Sequence, residues 1–404
     1  MLKMRVCKLK SSLSIEEIPS LLLKNRPKYA LSLMRADIIA TQFEVPGRLL
    51  SIRPVGSGNI NDTFLGVYKA EFGNFCIIIQ RIRKDVFPQP EIIMKNLRVL
   101  SEHCIKIINE EIEESDRPWE FIQIIKTKTG QDYVLDEQGD LWRGLKFIEA
   151  GAVFESVQSL EHAFEVGATL GHFHHMVSTL PYQQLSYSLP NFHVTSQSLL
   201  ELEQAVKSPS AEMSINTSPT TQKALNFIGQ REQKILELEN ALQKGKLKLS
   251  ITHGDPKAGN VMIHEETGQG LCLIDCDTVQ PGLILNDIAD AIRSLCNPAG
   301  EDPIDLQSVG LDLNLLSAFF DGYKFKAKNL LNTEEIAYLW TALHTITVEL
   351  GIRFLTDHLR GDVYFKVRKP GHNLHRALVQ FHLAESIENQ EFVIREILEK
   401  QNDA

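Results

Sequence analysis

From Leu49 onward the apolar residues fall in short alternating runs, Leu50–Val55, Thr63–Lys69 and Phe75–Ile82, separated by glycine-containing turns. A period of two turns one face of each segment inward, so these runs predict antiparallel strands. Ahead of them, Ile18, Leu21, Leu22, Leu23, Ile38 and Ile39 suggest a helical stretch over residues 11–46, closed by Pro46-Gly47. A helix is expected from about Pro90 to Ile108, then further strands over Phe121–Ile125, Tyr133–Leu135 and Leu141–Ile148. After Glu149 the pattern becomes mostly helical. The exceptions are a hairpin within Asp255–Asp277 and loops rich in Ser, Thr and Pro around Leu189–Thr195 and Ser208–Thr221.

A strand-rich first third followed by a helix-rich remainder predicts an α+β chain whose two parts form lobes with a cleft between them. The expected divisions are a helical extension over 1–46, a sheet lobe over 47–148 and a helical lobe over 149–404, with the hinge near Arg143–Ala150. With 404 residues, 43% hydrophobic and 23% charged, the composition is ordinary for a globular protein with a sizeable core. The net charge of −10 and the lack of a long basic run argue against a nucleic-acid surface. No stretch of about 18 apolar residues occurs, and Met1–Lys10 is basic without the apolar centre of a secretory signal, so no membrane span and a cytoplasmic location are expected. The six cysteines, Cys7, Cys76, Cys104, Cys272, Cys276 and Cys296, are scattered, several in apolar runs, as reduced buried thiols would be. His172, His174 and His175 lie on an expected helix over Leu160–Ser178. Only the first and last share a face, and no carboxylate is positioned to complete a site, so metal binding is not expected there.

The densest chemistry lies in Thr252-His-Gly-Asp-Pro-Lys-Ala-Gly-Asn260 and Leu271-Cys-Leu-Ile-Asp-Cys-Asp-Thr278. Asp255 and Asn260 sit on one loop, and Asp275 follows an apolar run that reads as a strand. Phosphoryl transfer needs a carboxylate to orient the attacking hydroxyl and metal ions to neutralise phosphate charge. Asp255 fits the base, while Asn260, Asp275 and Asp277 offer the hard oxygen ligands magnesium takes. Lys257 has the reach to place an ammonium against the transferring phosphate. The loop Gly56-Ser57-Gly58-Asn59 between the first two strands can lay backbone N–H groups along phosphates. It is neither a Walker loop nor a dinucleotide fingerprint. In the third strand either Gln80 or Arg81 stands where a kinase presents a lysine. Strand alternation sends only one of them to the relevant face, and Glu91 is a candidate partner on the next helix.

These residues resemble the aminoglycoside phosphotransferase and choline kinase superfamily, with its His-x-Asp-x4-Asn and Ile-Asp-x-Asp/Glu signatures. Within it, the chain is most similar to the group of N-acetylhexosamine 1-kinases and mucin-desulfatase-like proteins. The resemblance runs from about Ile38 onward and also rests on Gly56–Phe64, Gln80-Arg81-Ile82, Trp142-Arg143, Pro190–His193, Asp287–Arg293, Glu349–Asp357, Gly361–Phe365 and His372–Leu374. It implies a protein-kinase-like two-lobe fold, ATP with Mg2+, a sugar-like small-molecule acceptor and a monomer or homodimer. By position, Asp255 would be the base, Asn260 and Asp275 metal ligands, and Arg353 and Tyr364 acceptor contacts; Asn59 and Arg293 join the candidate acceptor residues. Asn59 and Gly254 depart from the sugar kinases of the family, which tend to carry His and Asn there, and Ala289 stands where they often have Gly. An amino-alcohol or aminoglycoside acceptor, or a nucleotide-binding regulator without catalysis, are the alternative readings.

Overall fold

The computed structural model describes residues 27–56, 61–111, 117–208 and 218–400. The chain divides into two compact units, one of residues 1–102 and 120–150, the other of 103–119 and 151–404.

The first unit begins with α1 (Pro27–Ala40), followed by β1 (Arg48–Pro54), β2 (Asp62–Ala70), β3 (Gly73–Ile82) and the start of α2 (Pro90–Glu111). β4 (Ile124–Ile125), β5 (Val134–Leu135) and β6 (Leu141–Lys146) complete an antiparallel sheet of order β1-β2-β3-β6-β4, with β5 also on β6. The expected helix over 11–46 is corrected at its end, its first part lying outside the described residues. The helix stops at Ala40, where Thr41 and Gln42 donate to carbonyls only three residues back. Fully buried Phe43 then bridges to Thr127 in extended backbone. The strand expected over Phe121–Ile125 shortens to its last two residues.

Period-two alternation gives this sheet two distinct faces. Phe64, Tyr68, Ile77, Ile79 and Trp142 pack on Ala36, Ile39 and Ala40 of α1. Leu65, Val67 and Cys76 on the other face pack with Val55, Ile78 and Phe147. Polar groups follow the same division. Arg81 lies with the α1 face and donates to Asp62 (2.6 Å) and Asp140 (2.9 Å), while Arg35 of α1 reaches Asp136 and Asp140. Gln80 lies on the opposite face, where its Oε1 accepts from Arg143 Nη2 (2.7 Å) and Nε (3.0 Å).

The second unit opens with β7 (Gly151–Ala152) and α3 (Leu160–Val177), then α4 (Thr195–Val206), α5 (Pro219–Gly229), α6 (Glu232–Ile235) and α7 (Glu237–Gln243). Next come β8 (Ser250–Thr252), β9 (Val261–His264), β10 (Gly270–Leu273) and β11 (Gln280–Gly282). It closes with α8 (Ile284–Leu295), α9 (Leu313–Lys326), α10 (Thr333–Ala337), α11 (Leu339–Leu359), α12 (His372–Asn389) and α13 (Glu391–Lys400). The expected hairpin is β9–β10, and β7 adds to β9. The β8–β11 pair was not expected, because three-residue strands leave no alternation to read. The five described cysteines are buried free thiols, as expected; Cys7 lies outside the described residues. Among the described residues, no helix is long and apolar enough to cross a membrane.

α3 and α9 approach backbone to backbone. A Cβ on Gly322 would overlap the Phe164 carbonyl, and one on Gly167 the Phe319 carbonyl. Neither obstacle is a movable side chain, so Gly322→Ala is expected to destabilise the unit by about 1–3 kcal/mol, the range for overpacking. Gly229, with open space around its Cβ position, supplies the control. Denaturant midpoints check this: Gly322→Ala should fall and Gly229→Ala should not.

Candidate active site

The loop from His253 to Asn260 joins β8 to β9 and is held from below by one carboxylate. Asp287, in the first turn of α8, accepts the backbone N–H of His253 (2.5 Å) and of Gly254 (2.8 Å). His174 of α3 places Nε2 3.0 Å from the same carboxylate, and its Nδ1 lies 3.0 Å from the Tyr323 hydroxyl of α9. Burial alone would favour the neutral acid, but the hydrogen bond and charge of His174 and the Gly254 N–H together hold Asp287 below its ordinary value. His253 is itself fully buried, and burial pushes its pKa down, so the ring is neutral. A single tautomer then suffices: Nε2–H donates to the Ile274 carbonyl (3.0 Å) and Nδ1 accepts the Asp255 N–H (3.4 Å). Gly254 has φ +87, and a side chain there would crowd the Thr278 carbonyl and the Phe192 ring. A turn this tight against both neighbours needs glycine.

This loop aims three predicted residues at one another. Lys257 Nζ lies 2.8 Å from Asp255 Oδ2, and Asn260 Nδ2 donates to Asp255 Oδ2 (3.0 Å) and to its carbonyl (2.7 Å). Both side-chain bonds fall on Oδ2, leaving Oδ1 to take a proton from a hydroxyl. Burial works against the Lys257 charge, yet Asp255, Asp275 and Glu301 raise its pKa well above the ordinary lysine value, so it is an ammonium. With the Asn260 amide nitrogen spent on Asp255, the amide oxygen remains for a cation. The Ile274 N–H bonds the Asn260 carbonyl (2.8 Å), which ties the end of β10 to the loop. Asp275 follows in the left-handed region (φ +63) and is exposed, whereas Asp277 is buried in the next turn. An exposed carboxylate and an amide oxygen are the kind of hard-oxygen donors that suit magnesium, which usually adds substrate phosphates and waters to one or two protein oxygens.

A second group of residues touches the same loop. His193 contacts the Gly254 carbonyl through Nε2 (3.0 Å) and Glu349 of α11 through Nδ1 (3.3 Å). Arg353, one turn further along α11, stands over Phe192 (5.2 Å) and Phe365 (5.7 Å) and makes no hydrogen bond to a carboxylate among the described residues. Buried Asp357 accepts the N–H groups of Val363, Tyr364 and Phe365, which fixes that loop and leaves the Tyr364 side chain largely exposed. Arg293 is buried and engaged with Asp290 (2.8 Å), Glu301 (3.4 Å) and Gln380 (3.3 Å), so it braces this region rather than offering a free fork.

Other expectations are corrected. Glu91 is exposed and bonds neither Gln80 nor Arg81. A carboxylate does meet the histidine cluster: Glu111 of α2 lies 3.0 Å from His172 and 3.3 Å from His175, while His174 turns the other way to Asp287. Gly56 ends the described part of its loop with φ +77; Ser57, Gly58 and Asn59 lie outside the described residues.

Residues 51–319 match the family described as "Phosphotransferase enzyme family". Among solved structures, the chain is similar to a microcompartment-associated aminopropanol kinase (TM-score 0.56, 14% identity, 91% of this chain and 98% of that one). It is similar to an aminoglycoside phosphotransferase from Alicyclobacillus acidocaldarius (TM-score 0.54, 14% identity, 90% and 96% covered). A choline kinase from Cryptosporidium parvum is a third (TM-score 0.52, 15% identity, 94% and 99% covered). At these identities the likeness is one of fold, that of protein-kinase-like phosphotransferases.

The Asp287 contacts carry a stability consequence. Its folded pKa lies below the ordinary 3.8, so the unfolded chain takes up this proton first. The stabilisation is complete above about pH 4 and is lost as pH falls through the lower folded value. Asp287→Asn is expected to lose roughly 3 kcal/mol at neutral pH, as for other broken buried charge networks. Denaturant curves from pH 7 to pH 3 should show the gap to wild type narrowing in acid.

Proposed function

Because the chain belongs to the phosphotransferase enzyme family, we propose that it transfers the γ-phosphate of ATP to a hydroxyl of a neutral, oxygen-rich acceptor. The best candidate is an N-acetylhexosamine or related hexose, phosphorylated at its anomeric hydroxyl. The coarse activity follows from the family itself: this is a small-molecule kinase, a phosphotransferase acting on hydroxyl groups.

In the proposed mechanism Asp255 Oδ1 accepts the acceptor's hydroxyl proton as that oxygen bonds to the γ-phosphorus and the bond to the ADP oxygen breaks. Lys257, held as an ammonium 2.8 Å from Asp255, fixes the carboxylate and sets positive charge beside the transferring group. Magnesium, when bound, would be held by the Asn260 amide oxygen and Asp275 and would neutralise phosphate charge. On the sheet unit, the apolar face of Val55, Leu65, Val67 and Ile78 suits an adenine ring. Gln80 shares that face and holds the guanidinium of Arg143, so the pair stands in for the missing lysine. Arg81 is committed to Asp62 and Asp140. The Gly56–Asn59 loop remains the proposed phosphate cradle.

Arg353 carries the acceptor reading. A half-buried guanidinium against two aromatic rings, hydrogen-bonded to no carboxylate among the described residues, can grip hydroxyl and amide oxygens and repels an ammonium. The carboxylates nearby already hold cations: Glu301 holds Arg293 and Arg376, Asp290 holds Arg293, and Glu349 holds His193. An amino-alcohol acceptor would find them occupied. Tyr364 offers an exposed ring and hydroxyl for the same sugar.

An ATP-consumption screen with magnesium against N-acetylhexosamines, other hexoses, choline, ethanolamine and aminoglycosides tests the proposal. Turnover of a hexose is expected, with Asp255→Asn retaining ATP binding and losing at least about 100-fold in kcat, as general bases do. Arg353→Ala should raise the sugar KM about 10-fold, since each 1.4 kcal/mol lost from binding is tenfold. Turnover of amines alone would sink the acceptor assignment.

A further inference from the structure

His193 faces acceptors at both ring nitrogens. The Gly254 carbonyl, 3.0 Å from Nε2, can only accept a hydrogen bond. Glu349, 3.3 Å from Nδ1, has its other carboxylate oxygen occupied by the Thr195 hydroxyl at 2.5 Å. A neutral imidazole has one N–H and would leave one of these contacts without a proton. The backbone is committed to the same arrangement: His193 and Asn191 both lie in the left-handed region (φ +55 and +66), a strained state that persists when contacts fix it from several sides. The Phe192 ring lies 4.1 Å from the His193 ring and reaches Gly254 and Arg353.

We propose that His193 is a positioning residue in its doubly protonated form, an imidazolium that fastens the carbonyl preceding Asp255 to Glu349 and so sets where the base stands. The proposal rests on the reading of Asp255 as the base. The loop is then gripped on two sides, with Asp287 holding the N–H groups of His253 and Gly254 and His193 holding the Gly254 carbonyl. Loss of one proton from His193 leaves either Glu349 Oε1 or the Gly254 carbonyl without its donor from the ring and loosens the loop.

The charges around the ring support that state. Burial disfavours the cation, but the Glu349 hydrogen bond and charge, Asp290 and the Gly254 carbonyl outweigh it and raise His193 above the ordinary 6.5. Glu349 is shifted the opposite way: burial favours its acid form, while His193, Thr195 and Arg353 hold it ionised. Asp255 follows directly on the bonded carbonyl, and Asp287 lies beneath it. Arg353 is the nearby cation: its charge also favours the ionised Glu349, and its guanidinium lies over the Phe192 ring.

The test is kcat against pH, with saturating ATP and acceptor, for wild type, Glu349→Gln, His193→Gln and Asp255→Asn. Wild type should hold its rate through neutrality and lose it on an alkaline limb. Glu349→Gln, which can still bond Thr195, removes the charge that favours the imidazolium, so its limb should move to lower pH. His193→Gln can donate one N–H to Gly254 but cannot titrate; it should lack the limb and lose on the order of 10- to 100-fold in kcat, as small misplacements of reacting groups do, with the KM for ATP unchanged. Ring 15N shifts of His193 in the intact protein, assigned by their loss in His193→Gln, give the protonation state independently of turnover and of how Glu349→Gln folds. Two protonated nitrogens at pH 7 support the proposal. A neutral ring at pH 7, or the same alkaline limb in all active variants, overturns it. Full activity in Asp255→Asn would instead overturn the base assignment, and the His193 shifts would still report on the ring itself.

Discussion

The loop from His253 to Asn260 depends on one buried carboxylate. Asp287 stands at the start of α8, where the helix's own N–H groups already favour negative charge. From there it takes two consecutive backbone N–H groups of the loop and the ring of His174. A loop crossing the interior must satisfy its backbone groups, because an orphaned N–H there costs as much as a lost hydrogen bond. Asp287 meets that requirement and at the same stroke fixes the direction in which Asp255 leaves the loop. Without it, His253 and Gly254 would need water, and the distances from Asp255 to Lys257 and Asn260 would have nothing to define them.

His174 and Tyr323 bring α3 and α9 into the same network, and these two helices are the pair whose glycines let their backbones meet. The packing that stabilises the second unit therefore also sets the height of the Asp287 support. A helix contact made through carbonyls has little play, since neither side can yield by changing a rotamer. The loop bearing Asp255 is thus tied, through Asp287, His174 and Tyr323, to a helix contact that cannot yield by changing a rotamer.

What was legible in the sequence was whatever is local in the chain. Asp255, Lys257 and Asn260 share one short loop, so their spacing announced their meeting, and the alternation of Phe75–Ile82 announced β3. The contacts of the supports were not legible. Asp287, His193 and Glu349 fall in segments that carry the family resemblance and His174 on an expected helix, but the four come from separate segments and nothing local says that they meet. The choice between Gln80 and Arg81 also waited on pairing, because only the register of β2 and β6 against β3 says which neighbours each meets. The end of α1 at Ala40 is a case of tertiary override: residues 41–46 carry nothing that forbids a helix until Pro46, but Phe43 has a socket beside Gly144 that a helix would not let it reach.

Arg35 has a wider meaning for how this chain can be cut. Its guanidinium reaches Asp136 and Asp140, and Asp140 in turn shares Arg81 with Asp62. α1 is thus both the apolar cover of Phe64, Ile77, Ile79 and Trp142 and the counter-ion for a cluster of carboxylates. A shortened form starting at the first strand would expose that apolar face and leave Asp136 and Asp140 without the Arg35 guanidinium, with Arg81 the remaining cation of the cluster. For anyone preparing fragments, the sheet unit needs Arg35, Ala36, Ile39 and Ala40 of α1 as well as its strands.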